Sequence, residues 1–250
     1  MDVQWALTAE AREISPRQVH RRLQCVAARR RHALRTAFQL VYDRYVRDGL
    51  ATWNQFGLRI LPHQLLETSW VLLAKRGRRC LGTLSLIEDG AMGLPIEQLY
   101  PAEIWQMRRQ QMRVAELACF ASLDHSASQS MAVLRALLQS ACEIACHRQI
   151  EQLVICVHPR RAPFYERRLG FEECGPLRCC PWVCDQPAVA MRLNLRATSN
   201  RVVALALRGS CSAPALAATE STPLRRADRA YFRRLLDETT SSARPCRTAA

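Results

Sequence analysis

A chain of 250 residues has room for one well-buried domain with extensions but is short for two full domains, and an apolar share of 49% supports a packed core. No stretch approaches the ~20 consecutive apolar residues that a bilayer-spanning helix needs. Against 22 acidic residues stand 36 basic ones, for a net charge of +14, which favours acidic partners such as nucleic acid, anionic lipid or an acidic carrier protein without choosing among them.

Residues 1–15 read as irregular. A helical pattern starts at Ser15-Pro16, a capping serine with proline at the first helical position, and runs on as one or two helices to a stop at Gly49. Ala37, Leu40, Val41 and Arg44 keep its 3.6-residue period. Residues 61–70 read as a loop. The β-rich runs 70–75 and 80–87, joined through the glycine turn "RGRR", predict a hairpin. A connection punctuated by glycine and proline follows, with a short helix over 101–108. "RVAELACF" (113–120) is a strand, and the polar loop after it carries several N-capping residues.

The clearest helix is predicted over 130–147, with Met131, Leu134, Leu137, Leu138, Ala141 and Ile144 on one stripe. "QLVICV" (152–157) is continuously apolar, as expected of a strand covered on both faces. Strand, helix and strand make a right-handed βαβ unit. A short helix over 162–168 and a closing strand over 188–195 complete the domain. Beyond Leu195 the composition shifts to Ala, Ser, Thr, Pro and Arg, with ten arginines against four acids in residues 196–250. There a basic amphipathic helix is expected over 223–238, with Leu224, Ala227, Tyr231 and Leu235 on one side, and disorder elsewhere.

Lys75 is the only lysine, so the arginines reflect a composition bias of the kind GC-rich codon usage produces, and their number alone does not signal phosphate binding. The first 18 residues lack a basic segment followed by an apolar run, so a reducing cytoplasm with free thiols is the expectation for the twelve cysteines. Neither Cys174, Cys179, Cys180 and Cys184 nor Cys142, Cys146 and His147 gives a C-x-x-C pair. Core packing, not metal, is expected of them.

Two residues stand out chemically. Strand alternation puts Val114, Glu116, Ala118 and Phe120 on one face and Ala115, Leu117 and Cys119 on the other. A carboxylate inside an apolar strand is costly unless it is paired or has work to do. Burial would raise its pKa towards the range useful for taking a proton from an amine. The alternative is an ion pair with Arg108, Arg109 or Arg113. Tyr165 follows the buried strand at the start of a short helix, where a phenol can protonate a leaving group. The alternative there is simple hydrophobic cover by Phe164 and Tyr165.

The element order, ending in "P-x-x-x-x-F-Y-x-x-x-L-G-F" (Val157, Phe164, Tyr165, Leu169, Gly170, Phe171), resembles the GNAT N-acyltransferase superfamily. Residues 37–49, 82–100, 113–121, 157–175 and 187–195 resemble more specifically the long-chain N-acyl amino acid synthases, relatives of the acyl-homoserine lactone synthases. The resemblance covers residues 34–195 and implies an α/β, GNAT-like fold: a mixed central β-sheet flanked by helices, with an N-terminal helical extension (1–33) and a largely disordered basic tail (196–250).

It further implies that strands 113–120 and 152–157 splay to admit a phosphopantetheine arm. Glu116 then serves as base and Tyr165 as acid. Leu117, Ala118, Cys119, Phe120, His158, Arg160 and Phe164 would line the acyl-donor side, and Tyr42 and Tyr45 the acceptor side. The loop "SLDHSASQS" lacks the glycines with which many GNATs cradle the pyrophosphate of CoA. That favours an acyl carrier protein as donor, docked on Arg108, Arg109, Arg113, Arg161, Arg167 and Arg168. The expected activity is transfer of a long-chain acyl group from the carrier thioester to an amino acid or similar amine. No bound cofactor or metal is expected, and the acyl-phosphopantetheine thioester is the co-substrate. The alternatives are an acyl-CoA-dependent GNAT and a non-catalytic GNAT-like binding protein. No motif for specific nucleic-acid recognition is present, and the tail is expected to touch acidic surfaces peripherally.

Departures from the family pattern fall at Val41, where an arginine is usual, and at His158 and Arg161, where asparagine and histidine are expected.

Overall fold

The structure, a computed structural model, describes residues 23–123, 126–196 and 224–242. In chain order its strands are β1 (Gln24–Ala27), β2 (Ser69–Arg76), β3 (Arg79–Glu88), β4 (Val114–Ser122), β5 (Gln152–Val157), β6 (Glu172–Glu173), β7 (Arg178–Cys180) and β8 (Gln186–Asn194). The helices are α1 (Arg31–Arg47), α2 (Pro101–Arg109), α3 (Ala127–His147), α4 (Ala162–Phe164, continuing into a π-turn, Tyr165–Leu169) and α5 (Arg226–Ser242). The strands form one sheet in the order β1-β2-β3-β4-β5-β8-β6, with β7 pairing β8. Only β4 and β5 run parallel, joined by α3 as the sequence pattern predicts.

Burial on both faces explains the unbroken apolar runs. In β2, Trp70, Leu72 and Ala74 point to α3 and meet Val133, Leu137 and Ala141. Val71 and Leu73 point the other way, to Leu34 and Phe38 of α1 and Phe232 and Leu235 of α5. Farther along that second face, Tyr100 and, from α2, Ile104 and Met107 cover Ile87, Val114 and Val154. Close approach is visible at Gly82, where a Cβ would lie 2.3 Å from Val133 Cγ1 on α3.

The ends of the chain depart from expectation. Within the predicted helical extension 1–33, Gln24–Ala27 is a strand, and residues 1–22 lie outside the described ones. The short run "QCVA" pairs antiparallel with β2, from Gln24↔Lys75 to Ala27↔Leu72, and so satisfies a sheet edge that a helix would leave open. The helix expected over 223–238 is α5, and it docks. Phe232 is fully buried, 5.2 Å edge-on to Phe38, while Arg31 pairs with Asp228 at 2.8 Å. Its buried side runs through Leu224, Phe232 and Leu235; Ala227, expected there, is exposed. Residues 197–223 and 243–250, the rest of the expected tail, lie outside the described residues. No described helix is long and apolar enough to cross a membrane.

Candidate active site

The parallel strands β4 and β5 pair at only three positions, Val114↔Gln152, Ala115↔Leu153 and Glu116↔Val154. Past Glu116 and Val154 each strand keeps its outer partner, β3 or β8, but not the other. The sheet therefore opens there into a wedge with two unpaired backbone edges. A bulge adds to the divergence: Thr83 pairs with Ala121 and Ser85 with Ala118, so Cys119 and Phe120 together face Leu84. Cys119 takes a left-handed φ of 55°. The bulge also reverses the alternation, a correction to the sequence reading. Ala118, Cys119 and Ala121 pack towards Val41 of α1, whereas Phe120 turns to the α3 side with Leu117.

Glu116 sits at the apex of the wedge, 4% exposed. Its Oε2 accepts the N–H of Ile96 at 2.6 Å. Burial pushes its carboxyl up to about 8, and the Ile96 hydrogen bond offsets this only in part. Of the two readings open from sequence, the ion pair fails. Arg108 is fully engaged by Asp89 and Glu97, with four contacts of 2.5–2.7 Å. Its work is indirect. Glu97 Oε2 accepts the N–H of Leu94, so the Arg108 clamp holds the 3₁₀ turn Pro95–Gln98 that presents Ile96 to Glu116.

Tyr165 is half-buried at the mouth of β5, edge-on to Phe164 at 5.4 Å and to Phe171 at 5.7 Å. Burial raises its phenol, with Arg161 acting in the opposite direction. The α1 side of the wedge carries further ring and guanidinium groups. Tyr45 packs beside Cys119, its phenol raised by burial and by the neighbouring Cys119. Arg59 stacks over the Tyr45 ring at 4.9 Å and donates to the Trp182 carbonyl at 2.7 Å. That second bond secures the segment from Cys174 to Cys184, which folds back over this face. Tyr100 shares its hydroxyl proton between the carbonyls of Pro176 (3.0 Å) and Ala188 (2.8 Å), and Arg178 binds the Leu99 carbonyl and Glu103. Cys180, within this strap, lies within electrostatic reach of Cys156 of β5 and of Glu116.

The other predicted residues separate into groups. Arg160, Arg161, Arg167 and Arg168 are exposed together around the turn after β5. Arg167 and Arg168 there line, with Pro163 and Phe164, an open groove of about 360 Å³. The Nδ1 of His158 accepts the Arg160 N–H at 3.1 Å and shapes that turn. Arg109 stacks on Trp105 at 4.8 Å and Arg113 donates to Gln149, both at the opposite end of β4. Tyr42 is spent on the Asn54 turn, donating to its carbonyl at 3.3 Å and accepting its N–H at 3.1 Å, and Tyr45 alone of that pair reaches the wedge. Arg59 and Ile96 escape the sequence reading because no motif marks them and their partners are brought to them by the strap and the 3₁₀ turn. No group of three or more His, Cys, Asp or Glu among the described residues is placed to hold a metal ion.

The family model described as N-acyl amino acid synthase FeeM matches residues 36–194. No curated protein sequence matches the chain. Among solved structures, FeeM, an N-acyl amino acid synthase from uncultured soil microbes, superposes with a TM-score of 0.64 at 25% identity, covering 74% of this chain and 98% of that one. TofI, in a ternary complex with an inhibitor and MTA, gives 0.55 at 14% identity over 72% and 96% of the two chains. The AHL synthase LasI gives 0.51 at 16% over 75% and 94%. At those identities the last two show the fold alone. The opened β4–β5 wedge, the buried acid at its apex and a family match over well more than half its length lead to one conclusion: the chain belongs to the FeeM family of N-acyl amino acid synthases, N-acyltransferases of GNAT-like fold.

Proposed function

We propose that this acyltransferase moves a long-chain acyl group from an acyl carrier protein thioester onto the amino group of an amino acid, with attack directly on the thioester. The observation that carries the reading is Glu116, a lone buried carboxyl at the point where β4 and β5 part. An extended pantetheine arm is a chain of amides, and the unpaired edges of β4 and β5 offer it strand-like hydrogen bonding. N–H groups along the β4 edge can also polarise the thioester oxygen.

A group held near pH 8 is suited to accept the proton that the attacking nitrogen releases. As the tetrahedral intermediate collapses, the carbon–sulfur bond breaks and the Tyr165 phenol supplies a proton to the departing thiolate. Tyr45 and Arg59 face the acceptor from α1 and the following loop, where a guanidinium favours an amine that also carries a carboxylate.

For the donor, two features favour a carrier protein over CoA. The segment leading into α3 has no glycine, and Ser126 spends its hydroxyl on capping that helix through the N–H of Gln129 at 3.2 Å. Arg160, Arg161, Arg167 and Arg168 instead present exposed positive charge beside the mouth of the wedge, complementary to an acidic carrier. The deciding experiment supplies hexadecanoyl carrier protein or hexadecanoyl-CoA with a mixture of amino acids and detects products by mass spectrometry. N-acyl amino acid from the carrier is expected. Product from CoA alone would overturn the donor assignment, and carrier binding without turnover would overturn the activity.

A further inference from the structure

The family match ends at residue 194, and α5 (Arg226–Ser242) stands outside it. A helix of 17 residues is marginal in isolation, so its order comes from what it packs against. That surface is specific. Phe232 is fully buried and meets Phe38 of α1 edge-on at 5.2 Å, with Leu224 and Leu235 buried in the same cluster. On one flank Asp228 pairs with Arg31 at 2.8 Å, and Arg35 donates to the Tyr231 hydroxyl at 2.9 Å. On the other flank Arg229 binds Glu67 at 2.8 Å, just past the 3₁₀ turn Pro62–Leu65.

α1 needs the support. Its N-terminus has no side-chain cap and no acid in the first turn, and Arg31 puts a positive charge where the helix dipole disfavours one. Asp228 supplies the missing negative charge from α5. Farther along, Phe38 has two roles. Its ring takes Phe232, and its carbonyl accepts the backbone N–H of Arg59 at 3.2 Å. Leu58, next to Arg59, is buried in the same apolar cluster as Phe38, Phe232 and Leu235, and so is Leu65, two residues before Glu67. Segment 58–67 is thus held at both ends by α5. One and two turns beyond Phe38 on the same face of α1, Val41 and Tyr45 reach the Cys119 bulge, and the Arg59 guanidinium lies over the Tyr45 ring at 4.9 Å.

We propose that α5 is a positioning element for acyl transfer: Phe232, through Phe38 and Leu58, fixes the backbone of Arg59 so that its guanidinium stands over Tyr45 on the α1 side of the wedge. Asp228 and Arg229 seat the helix for that contact. All three act through other residues, so they are positioning residues and not catalytic ones. Stacking on Tyr45 and the bond to the Trp182 carbonyl hold the tip of the Arg59 side chain, and the Phe38 carbonyl holds its root. Truncating Phe232 opens a cavity beside Phe38 into which α1 and the Leu58 segment can move. The cost of that movement falls on the amine substrate, because Arg59 is the group assigned above to its carboxylate. That consequence rests on the proposed function; the placement of Arg59 by α5 does not.

The test compares hydrogen exchange and steady-state kinetics of the full chain as wild type, Phe232→Ala and the conservative Phe232→Leu. Peptic fragments of Phe232→Ala should exchange about 10-fold faster in residues 31–45 and 56–61, with α3 and β5 unchanged. Phe232→Leu keeps most of the buried volume and should return both segments close to the wild-type rate. In turnover, KM for the amino acid that wild type acylates fastest rises about 5-fold or more in Phe232→Ala, while kcat and KM for hexadecanoyl carrier protein stay within about 2-fold. Phe232→Leu restores the lower KM. Exchange in 56–61 that stays at the wild-type rate overturns the proposal. So does an equal rise through α3 and β5, which would make α5 a general stabiliser. Should Phe232→Ala fail to fold, Asp228→Asn is read by the same criteria, with Asp228→Arg combined with Arg31→Asp as its restoring variant. Exchange needs no substrate, so it decides the placement of Arg59 even for a chain that transfers no acyl group. Faster exchange at 56–61 with KM for the amino acid unchanged would overturn the link to acyl transfer.

Discussion

Replacing Glu116 by Gln removes an ionisation and little else, because the amide oxygen can still accept the Ile96 N–H and the volume is unchanged. In the folded protein burial lifts the carboxyl from the ordinary 4.5 to about 8, so between those values the folded chain keeps a proton that the unfolded chain has released. The group's contribution to stability is therefore fully present below pH 4.5 and is lost as the pH rises through 8. The slope is ~1.4 kcal/mol per pH unit, and the whole loss reaches ~5 kcal/mol. Urea denaturation of wild type and Glu116→Gln at intervals from about pH 5 to pH 9 reads this directly. The wild type should weaken steadily relative to the variant and then run parallel to it at higher pH. Turnover should show the opposite trend. Wild-type kcat/KM climbs through pH 8 as the base ionises, while the variant is ~10²–10⁴-fold slower and lacks the climb. A stability difference that does not change with pH would refute the buried, protonated carboxyl. An unchanged pH–rate profile in the variant would refute its role as base.

Tyr165→Phe should lower kcat by roughly 10-fold near neutral pH, with the defect shrinking above about pH 9, because a thiolate of pKa ~8.5 can then leave without a proton; equal rates at neutral pH would remove the acid role. Charge reversal at Arg167 and Arg168 should raise KM for the acylated carrier with kcat little changed and flatten the dependence on salt, read from initial rates at two ionic strengths. Arg108→Met leaves Asp89 and Glu97 facing each other without their cation; because the cluster is only partly buried, solvent screening reduces the cost to a stability loss of ~1–2 kcal/mol. Glu116 should also change its pH–rate profile in that variant as the Ile96 turn loosens; a change in stability without a change in profile would make Arg108 purely structural.

Legibility followed the range of the forces involved. The helix behind Leu134, Leu137, Leu138, Ala141 and Ile144, the hairpin and the apolar strand 152–157 were readable because burial writes its period into neighbouring residues. Glu116 was readable for the converse reason, as a charge where the period demands an apolar side chain. β1 was not, since "QCVA" becomes a strand only because β2 lies beside it. Arg59 meets Trp182 across more than a hundred residues of chain, as Tyr100 meets Ala188 across nearly as many, and no local pattern encodes those meetings. The arginines misled by number. Arg108, grouped with Arg167 and Arg168 on charge alone, is neutralised inside the fold, whereas the latter two stand exposed at the wedge.

The bulge at Cys119 explains why alternation failed at the place where function is expected. An unbroken strand would keep Phe120 on the Glu116 side and continue in register with β3. With Cys119 and Phe120 both set against Leu84, the strand instead twists away from β5 one turn of the pleat after their last pair. A non-glycine residue at positive φ costs ~1–3 kcal/mol, and Val41 and Ala121 hold it there by packing on the Cys119 side chain. Val41 is also where the family pattern carries an arginine, so the residue that departs from the relatives is one that supports the bulge. The residue that braces the wedge is thus apolar, and a guanidinium reaches that side from elsewhere in the chain: Arg59, on the loop that follows α1, stacks over Tyr45, which packs with Val41 beside Cys119.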